Sequence, residues 1–317
     1  MTADPGETPS VIPLPAPSTA QSTAQSTAQS TAPSTAPPAA ERARSFDTVV
    51  DAYAAGRPTY PREAVQWMTR EPGRSRRRVL ELGAGTGKLT EQLISLGHRV
   101  IATDPSEPML GRLRTSVRAA RPVAAGAEQI PLATSSVDLV VSGQAFHWFD
   151  HDRALPEIAR VLEPGGSLAL AWNFRDERIP WVRRLSAIIG DDRSDWDPQE
   201  SIDDSGLFET VEHTTFRFWQ PLNAQSLREL VCSRSYVAVM EEAERAEVLR
   251  RVDELYDEYG RGHDGMLMPY ETYAYRAVAL PWIDPDASAA QKAGSEEPDH
   301  ARDTDETDHD SLLIDFR

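Results

Sequence analysis

The chain has 317 residues, with 33 Lys and Arg against 50 Asp and Glu and a single cysteine, Cys232. One thiol excludes an internal disulfide framework and a cysteine-built metal cluster, so no metal site is expected. No run of about 18 apolar residues exists, which excludes a membrane-spanning helix. A formal charge of −17 without a basic stripe argues against nucleic acid as a partner.

Charge and complexity divide the chain into three. Residues 18–37 are five copies of a four-residue unit, Ser-Thr-Ala-Gln three times and Ser-Thr-Ala-Pro twice. Such a stretch has nothing to bury against the entropy of ordering, so residues 1–44 are expected to be a disordered tail. It is read as an inert extension rather than a glycosylated stalk, and it lacks the basic start and apolar run of a secretory leader. Residues 284–317 hold eleven acids against three bases, and 283–317 are read as an acidic, disordered, solubilising tail. Residues 45–282 are long enough to bury a core of their own. The default location is the cytoplasm, and the oligomeric state is left open.

Within that domain, apolar runs alternate with helical patterns from residue 78 onward, the mark of a parallel sheet covered by helices. The pattern predicts strands at 78–82, 99–104, 122–125, 137–142 and 167–172. Helices are predicted at 89–96, 109–119 and 153–162, and Pro164-Gly165-Gly166 separates the last of these from its strand. Beyond Trp172 come a helix at 180–189, a strand at 210–219, helices at 224–239 and 241–259, and a last strand at 270–280.

The most informative stretch is Val79-Leu80-Glu81-Leu82-Gly83-Ala84-Gly85-Thr86-Gly87-Lys88-Leu89-Thr90. An apolar strand stops at three alternating glycines and a helix begins. Asp104 closes the next strand. Glycines allow a sharp turn and close approach to a ligand, and a carboxylate at that strand end suits a ribose diol. Together they point to a nucleoside-type cofactor. A dinucleotide fingerprint needs its third glycine where Lys88 stands, and a P-loop needs Ser or Thr where Leu89 stands. The glycines alone also fit a plain structural turn.

The pattern Glu-x-Gly-x-Gly-x-Gly resembles motif I of the class I S-adenosylmethionine-dependent methyltransferases, in a subgroup similar to the type 11 enzymes. The resemblance runs from about Phe46 to Leu280. It implies an α/β fold: a Rossmann-like doubly wound sheet, mostly parallel with an antiparallel final strand. It also implies a helical, substrate-side insertion between the last two strands, at 220–265. The implied cofactor is S-adenosyl-L-methionine. Gly83, Ala84 and Gly85, at a helix N-terminus, offer room and N–H groups to its methionine end. By resemblance Glu81 sits near the cofactor's ammonium, Asp104 takes the ribose hydroxyls and Pro105 flanks the adenine. A competing reading makes Asp104 a helix N-cap.

Ala125-Gly126-Ala127-Glu128-Gln129-Ile130-Pro131 resembles the adenine segment Gly-Asp-Ala-Glu-x-Leu-Pro, with Gly126 where the family has Asp. Backbone groups of Ala127 and Glu128 would then read the ring, the alternative being that Glu128 is a surface acid. Gln144-Ala145-Phe146-His147-Trp148 resembles small-molecule enzymes near the trans-aconitate methyltransferases. That implies Gln144 beside the methionine and His147 and Trp148 facing the substrate. Asp51-Ala52-Tyr53 with Arg57-Pro58 and Tyr60-Pro61 looks like the segment that covers the cofactor pocket in bacterial relatives. Tyr53 and Trp67 are read either as lid residues or as packing.

The reaction so implied is in-line displacement at an activated methyl group, with a small-molecule methyl acceptor. Holding the reactants in line can be worth roughly 7–11 kcal/mol, so no single acid–base residue is demanded. His147 is the leading base if the acceptor is a hydroxyl or amine, and a positioning group if it is a carboxylate. Its other reading is a histidine that caps a turn. Asn173 and Arg175, just past the fifth strand, are further substrate-side candidates, Arg175 as a carboxylate clamp. The alternative from another class is a non-catalytic sensor or scaffold of the same fold. A nicotinamide-dependent oxidoreductase is disfavoured by Lys88.

Overall fold

The computed structural model describes residues 50, 54, 56–71, 73, 75–190, 197–234, 237, 240–260 and 265–283. Tyr53 and both expected tails, apart from Ile283, lie outside the described residues. Among these residues no helix is long and apolar enough to cross a membrane.

Seven strands form one sheet in the order β3-β2-β1-β4-β5-β7-β6. They are β1 Arg78–Leu82, β2 Arg99–Asp104, β3 Arg121–Ala124, β4 Val137–Gly143, β5 Leu162–Arg175, β6 Glu212–Leu222 and β7 Met266–Val278. The first five run parallel, and β7 lies antiparallel between β5 and β6. The order reverses direction beside β1. A crevice therefore opens at the carboxyl ends of β1 and β4, where open α/β sheets bind ligands.

Alternation along the strands sorts the core into two faces. Leu80, Leu82, Ile101, Val140, Leu168 and Leu170 pack on one side. Val79, Val100, Ala102, Leu139, Val141, Ala169 and Ala171 pack on the other. The second face is covered by α1 (Arg62–Thr69) and α2 (Lys88–Ser95), and α3 (Glu107–Ser116) and α4 (His151–Val161) complete the crossovers. A third apolar cluster joins α5 (Pro180–Ile189) to α7 (Ala224–Cys232), α8 (Glu242–Tyr259) and the start of β7. Among the described residues two helices, α7 and α8, lie between β6 and β7, where a helical insertion was expected.

The elements depart from expectation in several places. Pro164-Gly165-Gly166 does not precede β5 but bulges within it: Val137 pairs with Leu162 and Leu139 with Ser167, so residues 163–166 oppose Asp138 alone. The strand β7 starts at Met266 rather than Tyr270: Met266 and Met268 are buried in the third cluster, while Leu267 between them is exposed. A short helix, α6 (Pro198–Ser205), was not anticipated. Asp197 caps it by accepting the Gln199 N–H at 2.9 Å, and Gly206 ends it at φ 63°.

Candidate active site

The glycine turn leaves β1 with Gly83, Gly85 and Gly87 at φ 68°, 55° and 90°. Only glycine takes such angles freely. A Cβ on Gly83 would collide with the Ala145 methyl, and one on Gly87 would lie 2.9 Å from Leu113 Cγ. The Ala84 N–H donates to the Thr103 carbonyl at 2.9 Å, which ties the turn to β2. The α2 helix then starts at Lys88 behind Gly87, an N-cap with no side-chain cap bond, and its positive end faces the turn.

Asp104 accepts the Gly85 N–H at 2.8 Å on one oxygen and the Ser106 N–H at 2.8 Å on the other. The cap of α3 is Ser106, whose hydroxyl accepts the Met109 N–H at 3.3 Å. The N-cap role weighed for Asp104 therefore belongs to its neighbour. The Asp104 carboxylate instead joins the turn after β1 to the turn after β2. Pro105, beside it, is exposed.

Glu81 is 1% exposed, on the face of β1 that packs against α2. The Thr90 hydroxyl donates to its Oε2 at 2.6 Å. Burial pushes the carboxyl pKa up to about 8; the Thr90 bond pulls it down and the Asp104 charge pushes it further up. Near neutral pH this acid holds its proton unless a cation arrives. Thr90 was not singled out in the sequence, although a polar residue inside the buried Leu89–Leu93 stripe of α2 was a signal for it.

An open cleft of about 420 Å³ is lined by Glu81, Gly83, Ala84, Gln144, Arg57 and Tyr60, among others. Gln144 holds φ 62°, rare outside glycine. Its N–H donates to the Ala171 carbonyl at 2.9 Å and its side-chain amide to the Asn173 carbonyl at 3.2 Å. Asn173 in turn donates to the Thr59 carbonyl at 3.1 Å and accepts the Thr272 hydroxyl at 2.6 Å. Gly143 and Gly56 let this segment close in: a Cβ on the first would collide with the Tyr60 hydroxyl, and one on the second with the Glu229 backbone of α7. Residues 56–60 thus form a wall of the cleft, clasped between β5 and the insertion. Trp67 does not; it packs on the core, with the Arg276 guanidinium 5.0 Å over its ring.

The other expected residues lie farther out. Ala127 is buried and Glu128 accepts the Asp150 N–H at 3.0 Å, so Glu128 ties the loop after β3 to the start of α4. Its second oxygen lies 2.8 Å from where a Cβ on Gly126 would sit, so the Glu128 carboxylate takes the space beside Gly126. His147 is exposed in a short 3-10 turn, Phe146–Trp148, and is not among the residues lining the cleft. The Trp172 indole N–H donates to His147 Nδ1 at 3.4 Å, which places the proton of the neutral ring on Nε2. The histidine that holds the turn is His151, with Nε2 3.0 Å from the Phe146 carbonyl and its ring stacked on Phe146. Asn173 and Arg175 were expected past β5 but lie inside it, 7% and 5% exposed. Arg175 donates to Ser186 Oγ at 3.2 Å and to the Gly190 carbonyl at 3.0 Å, anchoring both to α5. Among the described residues no group of His, Cys, Asp and Glu is placed to hold a metal ion.

Residues 80–170, which contain the glycine turn, Asp104, Gln144 and His147, match the family model described as a methyltransferase domain. An uncharacterized methyltransferase of Mycobacterium tuberculosis is 44% identical over 237 residues, covering 74% of this chain and 95% of that protein. An uncharacterized methyltransferase-like protein of Schizosaccharomyces pombe is 36% identical over 248 residues, covering 75% and 96%. The fold matches a solved methyltransferase candidate from an antibiotic biosynthesis pathway of Anabaena variabilis, with TM-score 0.51 at 20% identity, covering 69% and 96%. Similarity of this degree along nearly the whole length of its relatives, on a sheet of this order, places the chain in the class I S-adenosylmethionine-dependent methyltransferases, and it is a methyltransferase.

Proposed function

We propose that the chain transfers a methyl group from S-adenosyl-L-methionine to a small-molecule acceptor by in-line displacement. The observation that carries this reading is the cleft at the carboxyl ends of β1 and β4. There a buried acid, Glu81, opens beside a turn of positive-φ glycines. A buried carboxyl bonded by Thr90 alone suits an ammonium group, because a cation inside the cleft offsets the cost of ionising it. N–H groups at the start of α2 suit a carboxylate. Asp104, fixed by two N–H bonds, suits a ribose diol. The residues present therefore fit the donor. When bound, it supplies a methyl group already activated by a positively charged sulfur.

The chain's own task is then to orient and to exclude water. Gln144, fixed at a rare backbone angle, and the Arg57–Tyr60 wall border the cleft on the side of β4 and β5. Ala127 and Glu128, which lie outside the cleft lining, would meet the adenine through backbone groups. With Nδ1 engaged by Trp172, His147 would serve the acceptor as an Nε2–H donor rather than as a proton acceptor. Isothermal titration with S-adenosylmethionine, its demethylated product and NAD, followed by turnover of a labelled donor on a metabolite panel, tests the reading. Binding of the first two and labelled product are expected. Binding of NAD alone refutes it, and binding without turnover favours the sensor.

A further inference from the structure

Lys88 stands where a dinucleotide-binding turn carries its third glycine, and its place in the fold is electrostatically unfavourable. It is the first residue of α2, directly behind the N-cap Gly87. The start of a helix carries the positive end of the dipole, which favours an anion, and a lysine there adds charge of the same sign. Gly87 has no side chain with which to accept the first N–H groups of the helix, so they keep their donor capacity. The lysine is half-buried as well. Burial lowers its pKa, and the Glu91 charge one turn along acts the other way.

The same turn holds a second polar group in want of a partner. Thr86 is 5% exposed and lines the cleft, and among the described residues its hydroxyl makes no hydrogen bond. Native proteins pair their buried hydroxyls, so one left open on a cleft calls for a ligand. Lys88 lines the same cleft. Only two peptide units separate the pair, so their Cα atoms lie within about 7 Å of each other. Among the described residues lining the cleft the one acid is Glu81, which holds its proton near neutral pH and so does not neutralise the lysine.

We infer that Lys88 and Thr86, with the first N–H groups of α2, hold the α-carboxylate at the methionine end of the donor. Lys88 supplies the charge and Thr86 a hydroxyl bond. An ammonium–carboxylate bond is charge-assisted, and it strengthens away from bulk water. The carboxylate also removes both misfits, since it offsets the like charges at the helix start and gives the Thr86 hydroxyl an acceptor. Glu81 meets the ammonium, so the two ends of one amino acid are read from either side of the glycine turn. This inference rests on the methyl-transfer reading of the cleft, and it names the residues that make the cleft select an amino-acid-bearing donor over a plain nucleoside.

The test is calorimetric titration of the full chain at pH 7 with three probes. They are S-adenosylhomocysteine, the aminopropylthio analogue of adenosine, which keeps the amine and lacks the carboxylate, and methylthioadenosine, which lacks both. Wild type should bind S-adenosylhomocysteine at least about tenfold more tightly than the aminopropyl analogue. Lys88→Met, which keeps length and removes charge, should weaken S-adenosylhomocysteine about tenfold without weakening the analogue. Thr86→Val, of the same shape, should weaken S-adenosylhomocysteine about threefold, again without cost to the analogue. If Lys88→Met does not fold, Lys88→Gln replaces it with the same expectation. Equal losses for both probes would mean that Lys88 only supports the turn, and would overturn the inference. A wild type with no preference for the carboxylate, or a Lys88→Met chain that keeps the preference, overturns it too. Wild-type chain that binds none of the three probes would overturn the methyl-transfer reading itself.

Discussion

Glu81 should make donor binding depend on pH in a way that its replacement abolishes. The free carboxyl titrates near 8, chiefly because burial disfavours its charge. At pH 7 about one molecule in ten is ionised, and removing the proton to meet an ammonium costs about 1.4 kcal/mol, one pH unit's worth. Breaking a buried ion pair by removing one partner typically costs about 3–5 kcal/mol. Glu81→Gln, which keeps shape but never ionises, should therefore lose about 2–4 kcal/mol of donor affinity at pH 7. Wild-type affinity should rise about tenfold per unit from pH 6 to near 8. It should then turn over as the donor's own α-amino group, with an ordinary pKa of about 7.7–8.0, loses its proton. In Glu81→Gln the rising limb should vanish. The assay is calorimetric titration at half-unit pH steps in two buffers of different ionisation enthalpy, which counts the protons released. The folding side carries the opposite sign: the unfolded acid ionises above its ordinary value of 4.5 while the folded one stays protonated to about 8. Unliganded stability should thus fall by about 1.4 kcal/mol per pH unit across that window. A flat wild-type profile, or an equal slope in Glu81→Gln, refutes the reasoning.

Other substitutions probe the rest of the cleft. Asp104→Ala should weaken donor binding by about 1–3 kcal/mol, the scale of a charge-assisted hydrogen bond, and an unchanged dissociation constant in calorimetry would leave it only a tie between two turns. Gly83→Ala forces a methyl against Ala145 at φ 68° and should lower stability by about 1–3 kcal/mol in urea denaturation; a wild-type midpoint would mean that β4 gives way. Gly126→Asp puts a Cβ 2.8 Å from a Glu128 oxygen and a second negative charge beside it, so the Glu128–Asp150 tie should loosen and the melting temperature fall. A melting temperature equal to wild type would show that Glu128 moves without cost.

The central strands were legible because they are buried on both faces and so read as short apolar runs closed by turn residues. The α5 helix was read to the residue because Trp181, Leu185 and Ile188 repeat at helical spacing after Pro180, and the face it buries is the neighbouring one of Val182, Leu185 and Ile189. Pro164-Gly165-Gly166 misled for a physical reason: the glycines and proline that end an element are also those that a bulge uses to leave and rejoin a strand. The two histidines of the β4–α4 turn are four residues apart and chemically alike. Only packing on Phe146 makes His151 the turn's anchor and leaves His147 exposed. Arg175 was read as a substrate-side carboxylate clamp just past the fifth strand; it lies inside that strand, with the carbonyl end of α5 over it.

Those successes and failures follow one division. The part of the cleft proposed for the donor is assembled from chain neighbours: a strand end, the turn after it and the end of the adjacent strand. Its chemistry is therefore written in a dozen consecutive residues and one acid. The substrate-side candidates are different: Asn173 and Arg175 lie on β5, and their cross-strand neighbours Thr272 and Tyr270 come from β7, about a hundred residues later in the chain, because β7 inserts between β5 and β6. No local pattern can announce such a pairing, because an arginine alone reads as a surface charge and a tyrosine as core. Their shared burial distinguishes them, and burial is a property of the packed sheet. Sheets of this kind can thus keep a readable donor site while the acceptor is chosen by side chains gathered from across the fold.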